Sequence, residues 1–122
     1  MEELLSFIAD KMNLNDIPYE FSEWSSAVKY PYCVGTFSAN DYRFEDNCIS
    51  GTLTVDIWSR TSKLQAIQMA DKIAEVFQDL QEVSGESAFY IRFLGSDCIP
   101  SGEMDLFRIC VKLYVSKWKG DN

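Results

Sequence analysis

From Gly51 onward, apolar and polar residues alternate. Leu53, Val55 and Ile57 fall on one side of an extended chain, and Thr52, Thr54, Asp56 and Trp58 on the other. The period then changes: Leu64, Ile67, Ala70, Ile73, Ala74, Phe77 and Leu80 recur mostly at intervals of three and four, the spacing of one helical face. The pattern predicts a strand over 52–58 and a helix from about Ser62 to Leu80. Thr61 or Ser62 suits the N-cap, and Ser62 with Gln65 has the spacing of a capping box.

The flanks read the same way. Residues 2–13 place Leu4, Leu5, Ile8 and Met12 on one side and Asp10 and Lys11 on the other, which predicts a helix. Glu2 and Glu3 suit its dipole, and Asn13, Asn15, Asp16 and Pro18 end it. Tyr19–Trp24 predicts a short strand, with Tyr19, Phe21 and Glu23 alternating against Glu20, Ser22 and Trp24. Tyr30–Phe37 predicts another, its proline at an edge or a strand start because proline donates nothing to a ladder. Residues 38–51, SANDYRFEDNCISG, read as the long connection of a hairpin, with the strand ends running into it.

Beyond the second helix, 81–87 reads as a polar connector. Ala88–Leu94 follows as a strand with Phe89, Ile91 and Phe93 on one face, then a turn over Gly95–Glu103 marked by Pro100 and Gly102. Leu106–Ser116, with Phe107, Ile109, Val111, Leu113 and Val115 on one face, is the longest strand and the expected centre of the sheet. The predicted order is αβββαββ. That is an α+β two-layer sandwich, with both helices on one face of a mostly antiparallel sheet of four to five strands.

The totals narrow the picture. A chain of 122 residues, 47% apolar and 14% aromatic, reads as a single folded domain over 1–122. A net charge of −8 argues against sequence-specific nucleic acid as a partner, since phosphate binding runs on Lys and Arg. Lys112, Lys117 and Lys119 do gather near the C-terminus, which usually means a solvated strand end. No apolar run approaches the ~20 residues of a membrane span. Glu2 and Glu3 are unlike a signal peptide, so synthesis in the cytoplasm and no membrane partner are expected.

Candidate chemistry is sparse. The chain has no histidine and four cysteines without a CxxC pair, a poor set for a metal. Cys33, Cys48, Cys98 and Cys110 are expected to be reduced and structural, a disulfide between sheet neighbours remaining open. No phosphate loop, nucleophile elbow or dinucleotide fingerprint occurs. Asp41, Glu45 and Asp46 could ligate a hard cation, but their spacing is not that of an EF-hand, and a solvated acidic loop is the simpler reading. Asp97, Glu103 and Asp105 are the other acidic candidates. No residue is assigned to catalysis, a cofactor or a metal, and no cofactor is expected.

The strands have a second face worth weighing. It carries Leu106, Arg108, Cys110, Lys112, Tyr114 and Ser116 on the last strand and Tyr90, Arg92 and Leu94 on the one before, with Trp58 and Phe37 added. Tyr, Trp and Arg mixed in this way are what protein interfaces favour. A partly exposed sheet would look similar. Asp56 on that face either meets water or pairs with Arg60, Arg92 or Arg108, within the chain or across a subunit boundary.

Taken together, YPYCVGTF at 30–37, the polar loop SANDYRFEDNCISG, the strand TLTVDIWSR, the helix SKLQAIQMADKIAEVF and a final strand hairpin resemble the tail terminator (tail-completion, or tail-to-head joining) proteins of long-tailed bacteriophages and prophages. The resemblance covers roughly residues 1–116 and carries over no catalytic residue. It implies an α+β fold and a homo-oligomeric ring, usually of six subunits, that caps the tail tube and offers a surface to the head. The implied partners are further copies of the chain, the tail tube protein and the head-completion or connector protein. The implied location is the host cytoplasm during assembly and then the neck of the virion tail. Candidate interface residues are Asp41, Tyr42, Arg43, Phe44 and Glu45 in the loop, and Asp56, Trp58, Arg92 and Arg108 on the sheet. A head–tail connector, a minor tail component, a non-phage small-ligand or regulatory module, and an enzyme using Asp97 or Glu103 are the competing readings.

Overall fold

The computed structural model describes residues 2–22, 30–39, 48–60 and 62–119. Helix α1 spans Glu2–Leu14, and strands β1 (Tyr19–Phe21), β2 (Tyr32–Ala39) and β3 (Cys48–Arg60) follow. Helix α2 (Lys63–Val76) then leads to β4 (Asp79–Ser84), β5 (Ser87–Ile99) and β6 (Leu106–Lys119). The strands form one six-stranded sheet in the order β1-β2-β3-β6-β5-β4. The short β1 runs parallel to β2 and every other neighbour is antiparallel, so the sheet is mixed.

The α+β class expected from the sequence is present, and β6 is the longest described strand and lies inside the sheet. The strand count is higher than expected, six rather than four to five, and the order is αβββαβββ. The missed strand is β4. Leu80 is not the last turn of α2: the helix ends at Val76, with Phe77 leaving helical geometry at φ −111° and ψ 19°. Leu80 instead pairs with Ile91 and adds to the core from a strand. Its companions Asp79, Gln81, Val83 and Ser84 are exposed, as befits an edge strand, so no two-residue hydrophobic alternation marks the segment.

The core lies between one face of the sheet and the two helices. Leu53, Val55 and Ile57 of β3 and Ile109, Val111, Leu113 and Val115 of β6 meet Leu4, Ile8 and Met12 of α1 and Ala66, Ala70, Ile73 and Phe77 of α2. Helix α2 rests on β3 and β6 with Ala66 and Ala70 inward, and its register differs from the one expected. Leu64 is 63% exposed and Ile67 36%, so two residues read as core face the outside. The true stripe runs through 66, 70, 73 and 77. Ser62 is the N-cap, its side chain accepting from the Gln65 amide at 3.1 Å. The reciprocal half of a capping box does not form, because Gln65 Oε1 lies 3.0 Å from the Ser59 hydroxyl.

Helix α1 ends as its polar tail predicts. Ile17 N–H bonds Met12 C=O at 2.9 Å and Asp16 N–H bonds Asn13 C=O at 3.1 Å, with Asp16 at φ 57°. This is a Schellman closure with aspartate where glycine is usual, and the buried Ile17 and Met12 are its apolar pair. The helix touches β1 on one side. On the other, Lys11 Nζ lies 2.8 Å from Glu82 of β4, and the Phe7 ring stacks on Phe89 of β5 at 4.1 Å. Since β1 and β4 are the two ends of the strand order, the sheet curls around α1.

Registers correct three further placements. Phe37 pairs with Leu53 and packs on the core, so it does not belong to the opposite face. Gly95 is not a turn residue: β5 runs on to Ile99, and the register shifts between Phe93 and Gly95 as Leu94 bulges out. Lys112 lies on the face away from the helices, whereas Lys117 points to α1 and pairs with Glu3 at 3.2 Å. The C-terminal lysines are thus divided between two faces. All four cysteines are free thiols. Burial in the core pushes the Cys33 thiol up to about 12.

Candidate interaction face

The sheet face away from the helices is assembled by register. Opposite one another across β2, β3, β6 and β5 stand Tyr32, Trp58, Arg108 and Ile99 in one row, and Val34, Asp56, Cys110 and Asp97 in the next. Further along come Ser38, Thr52, Tyr114, Arg92 and, on β4, Asp79. Antiparallel pairing brings such neighbours within about 5 Å of each other at Cβ, so each row acts as a unit.

One end of this face is a linked set of aromatic rings and guanidinium groups. Arg108 donates from Nε and Nη2 to Asp56 Oδ1 at 3.0 and 2.9 Å, and its guanidinium lies 5.1 Å from the Trp58 ring centre. Of the partners open to Asp56, the structure selects Arg108, within the chain. Trp58 stands opposite Tyr32, whose ring is tilted against Tyr30 at 5.4 Å. Arg60 closes the series, 5.3 Å from the Tyr30 ring centre. Its guanidinium also bonds Glu103 at 3.2 Å and Asp105 at 3.1 Å. Hydrogen bonding to Tyr30, then to Glu103, holds Arg60 still more firmly in its charged form.

Arg108 therefore carries one carboxylate and Arg60 two. That arrangement removes most of the attraction for a phosphate or a free acid and leaves flat, oriented, half-buried rings. Beside them, Cys110 is buried, and its thiol is pushed above the ordinary value by burial first and by Asp56 second. Tyr90 and Tyr114 meet edge to face at 6.2 Å lower on the same face.

Asp56, Trp58 and Arg108 thus come together as a group. Arg92 shares their face but stands opposite Tyr114 and Asp79, away from the cluster. Asp41, Tyr42, Arg43, Phe44 and Glu45, with Asp46, lie outside the described residues. Tyr30 and Tyr32, in the Tyr30-Pro31-Tyr32 segment, were not singled out by sequence, and Arg60, at the end of the alternating strand, was weighed only as a partner of Asp56. Only the β2–β3 register brings the two segments side by side. Glu103 and Asp105, weighed as acids, are turned towards Arg60, and Ser101 braces their loop by hydrogen bonds to Glu103 and Leu106. Asp97 stands opposite Cys110.

Two open hollows of about 500 Å³ each flank this face, one at the Pro100–Met104 turn and one beside Val83 and Trp118. Among the described residues no group of three Cys, Asp or Glu side chains is placed to hold a metal ion. No described helix is long and apolar enough to cross a membrane.

No family model matches the chain, and no curated protein matches it. A solved structure whose name states no function is similar, with a TM-score of 0.68 and 15% identity, over 99% of this chain and 92% of that one. At that identity the likeness speaks for the fold.

Proposed function

We propose that the chain is a structural virion protein of a long-tailed phage or prophage, a tail terminator. Copies join as a ring, usually of six, that caps the tail tube and presents a joining surface to the head. The observation that carries this reading is the preformed Arg108–Trp58–Tyr32–Tyr30–Arg60 series on the sheet face away from the two described helices. Trp, Tyr and Arg are the residues on which protein contacts concentrate their energy, and these are held in place before any partner arrives. Three of the segments that carry the resemblance are β2, β3 and α2, with β2 paired to β3 and α2 resting on β3. A net charge of −8 suits a channel through which DNA must pass without sticking.

The role needs no cofactor and no bond-making step; it rests on shape. Its test is the mass of the purified chain across concentration, alone and with tail tubes, together with negative-stain images. Rings with a central hole, or capped tubes, are the expected result. Trp58→Ala should weaken assembly by about 2 kcal/mol or more while leaving the fold intact. A chain that stays monomeric and leaves tubes uncapped would overturn the proposal.

A further inference from the structure

The turn between β5 and β6, residues 100–105, has little of the usual support. Pro100 and residues 102–105 are exposed, Met104 at 99%, so apolar burial does not root the turn in the core. Ile99 opposite Arg108 is the last pairing of β5 with β6. Beyond it, among the described residues, no backbone–backbone hydrogen bond outside the helices and strands falls within 100–105. Gly102 turns the chain at φ 88°. An exposed loop without backbone bonds moves freely unless side chains hold it.

Side chains supply the ties. The Ser101 hydroxyl bonds the Leu106 carbonyl and accepts from the Glu103 N–H, which closes the turn on itself. Among the described residues, the ties that reach another element end on Arg60. This last residue of β3 stands opposite Leu106. It donates from Nη1 to Asp105 at 3.1 Å and from Nη2 to Glu103 at 3.2 Å. The same guanidinium lies 5.3 Å from the Tyr30 ring centre and is hydrogen-bonded to Tyr30. An exposed ion pair contributes little by itself, because two long side chains must be ordered against water. Here one planar fork, already set against Tyr30, serves two carboxylates at once, so the ordering of Arg60 is shared between them.

We infer that Arg60 is a positioning residue, a latch that fixes the 100–105 turn to the end of β3. Glu103 and Asp105 flank Met104, so holding both carboxylates also fixes the backbone that carries this fully exposed side chain. The turn walls the hollow of about 500 Å³ that Lys63 and Phe107 line from α2 and β6, and Arg60 thereby sets the width of that hollow from outside it. The tie lies within one chain and is independent of the ring reading.

The test is backbone amide relaxation by NMR on the full chain, read as order parameters over residues 101–105. The native turn should lie near about 0.85, the value of rigid backbone, and Arg60→Gln should drop it below about 0.6 while β3 and β6 stay unchanged. Circular dichroism and thermal melting should show the variant folded, so the loss is local. Glu103→Gln with Asp105→Asn should loosen the turn as far as Arg60→Gln does, and should add nothing in a chain already lacking Arg60, because the three residues form one tie. Arg60→Lys keeps the charge without the fork and should fall between native and Arg60→Gln. A native turn already below about 0.6, or an Arg60→Gln turn as rigid as the native one, overturns the latch. A lysine variant as rigid as the native chain overturns the role of the fork and leaves charge as the cause. None of these results depends on whether copies assemble.

Discussion

At the scale of single residues, the core side of the sheet depends on two glycines that aromatic rings cover. A Cβ on Gly35 would lie 2.3 Å from the Tyr19 hydroxyl oxygen, and one on Gly51 would lie 2.3 Å from the Ser38 carbonyl oxygen and 2.8 Å from the Phe37 ring. At Gly51 the nearest obstacle is backbone, which cannot swing aside. Gly51→Ala should therefore lose about 1–3 kcal/mol, the usual cost of overpacking, read as a lower urea midpoint at constant slope. Gly95→Ala is the control, since nothing lies within 4 Å and its φ is ordinary. It should change stability little or raise it by about 0.4–1 kcal/mol. An equal loss at both positions would show that the loss at Gly51 does not come from crowding against Ser38 and Phe37. These roles were hidden in the sequence, because a glycine's neighbours across a sheet are set by register, and register is not written locally. The alternation of Leu53, Val55 and Ile57 was legible because each residue's face depends only on its own strand.

At the scale of elements, legibility followed burial. Strands β3 and β6 are flanked on both sides, and their two-residue period is complete. β4 is an edge strand with exposed polar companions, so it was invisible. In α2 both sides of the helix carry apolar residues, and the periodicity could not tell which side meets the sheet. Helix α1 was readable, cap included, and its attachment to the sheet carries a pH signature. Hydrogen bonds from Ser87 and then Lys117 hold the Glu3 carboxyl below its ordinary value of 4.5. A carboxylate whose folded value is depressed contributes stability that is present above the ordinary value and lost as pH falls through the folded one. Glu3→Gln should thus flatten the acid side of the stability profile below about pH 4.5 and leave the neutral side's slope unchanged. Thermal melts in a pH series read this directly, and an unchanged acid limb would mean that the pair with Lys117 does not outlast solvent competition.

At the scale of the whole molecule, the sign of the net charge was legible but its distribution was not. Glu103 and Asp105 gather at Arg60 on the outer sheet face and Lys117 meets Glu3 on the helix side, pairings that only the three-dimensional arrangement reveals. The net charge of −8 makes a prediction about salt. Screening shortens the reach of like-charge repulsion to about 8 Å at physiological ionic strength and to about 3 Å at 1 M. Assembly of copies that each carry −8 should strengthen as salt is raised, with half-assembly moving to lower protein concentration in sedimentation runs. Weaker assembly at high salt would assign the contact to cross-subunit ion pairs.

The position of α1 has a consequence for folding and for solubility. A helix that touches both β1 and β4 stands beside the two places where this sheet could recruit a stray strand. The first thirteen described residues, Glu2 to Leu14, therefore act as a guard over both open borders of the sheet. That guard can settle only after β4 and β5 have been made, late in synthesis. Until then the nascent chain carries unprotected strand edges of the kind that seed aggregates. The sequence meets that hazard with charged edge residues, Glu20 on β1 and Asp79 and Glu82 on β4, which discourage mispairing before the helix arrives.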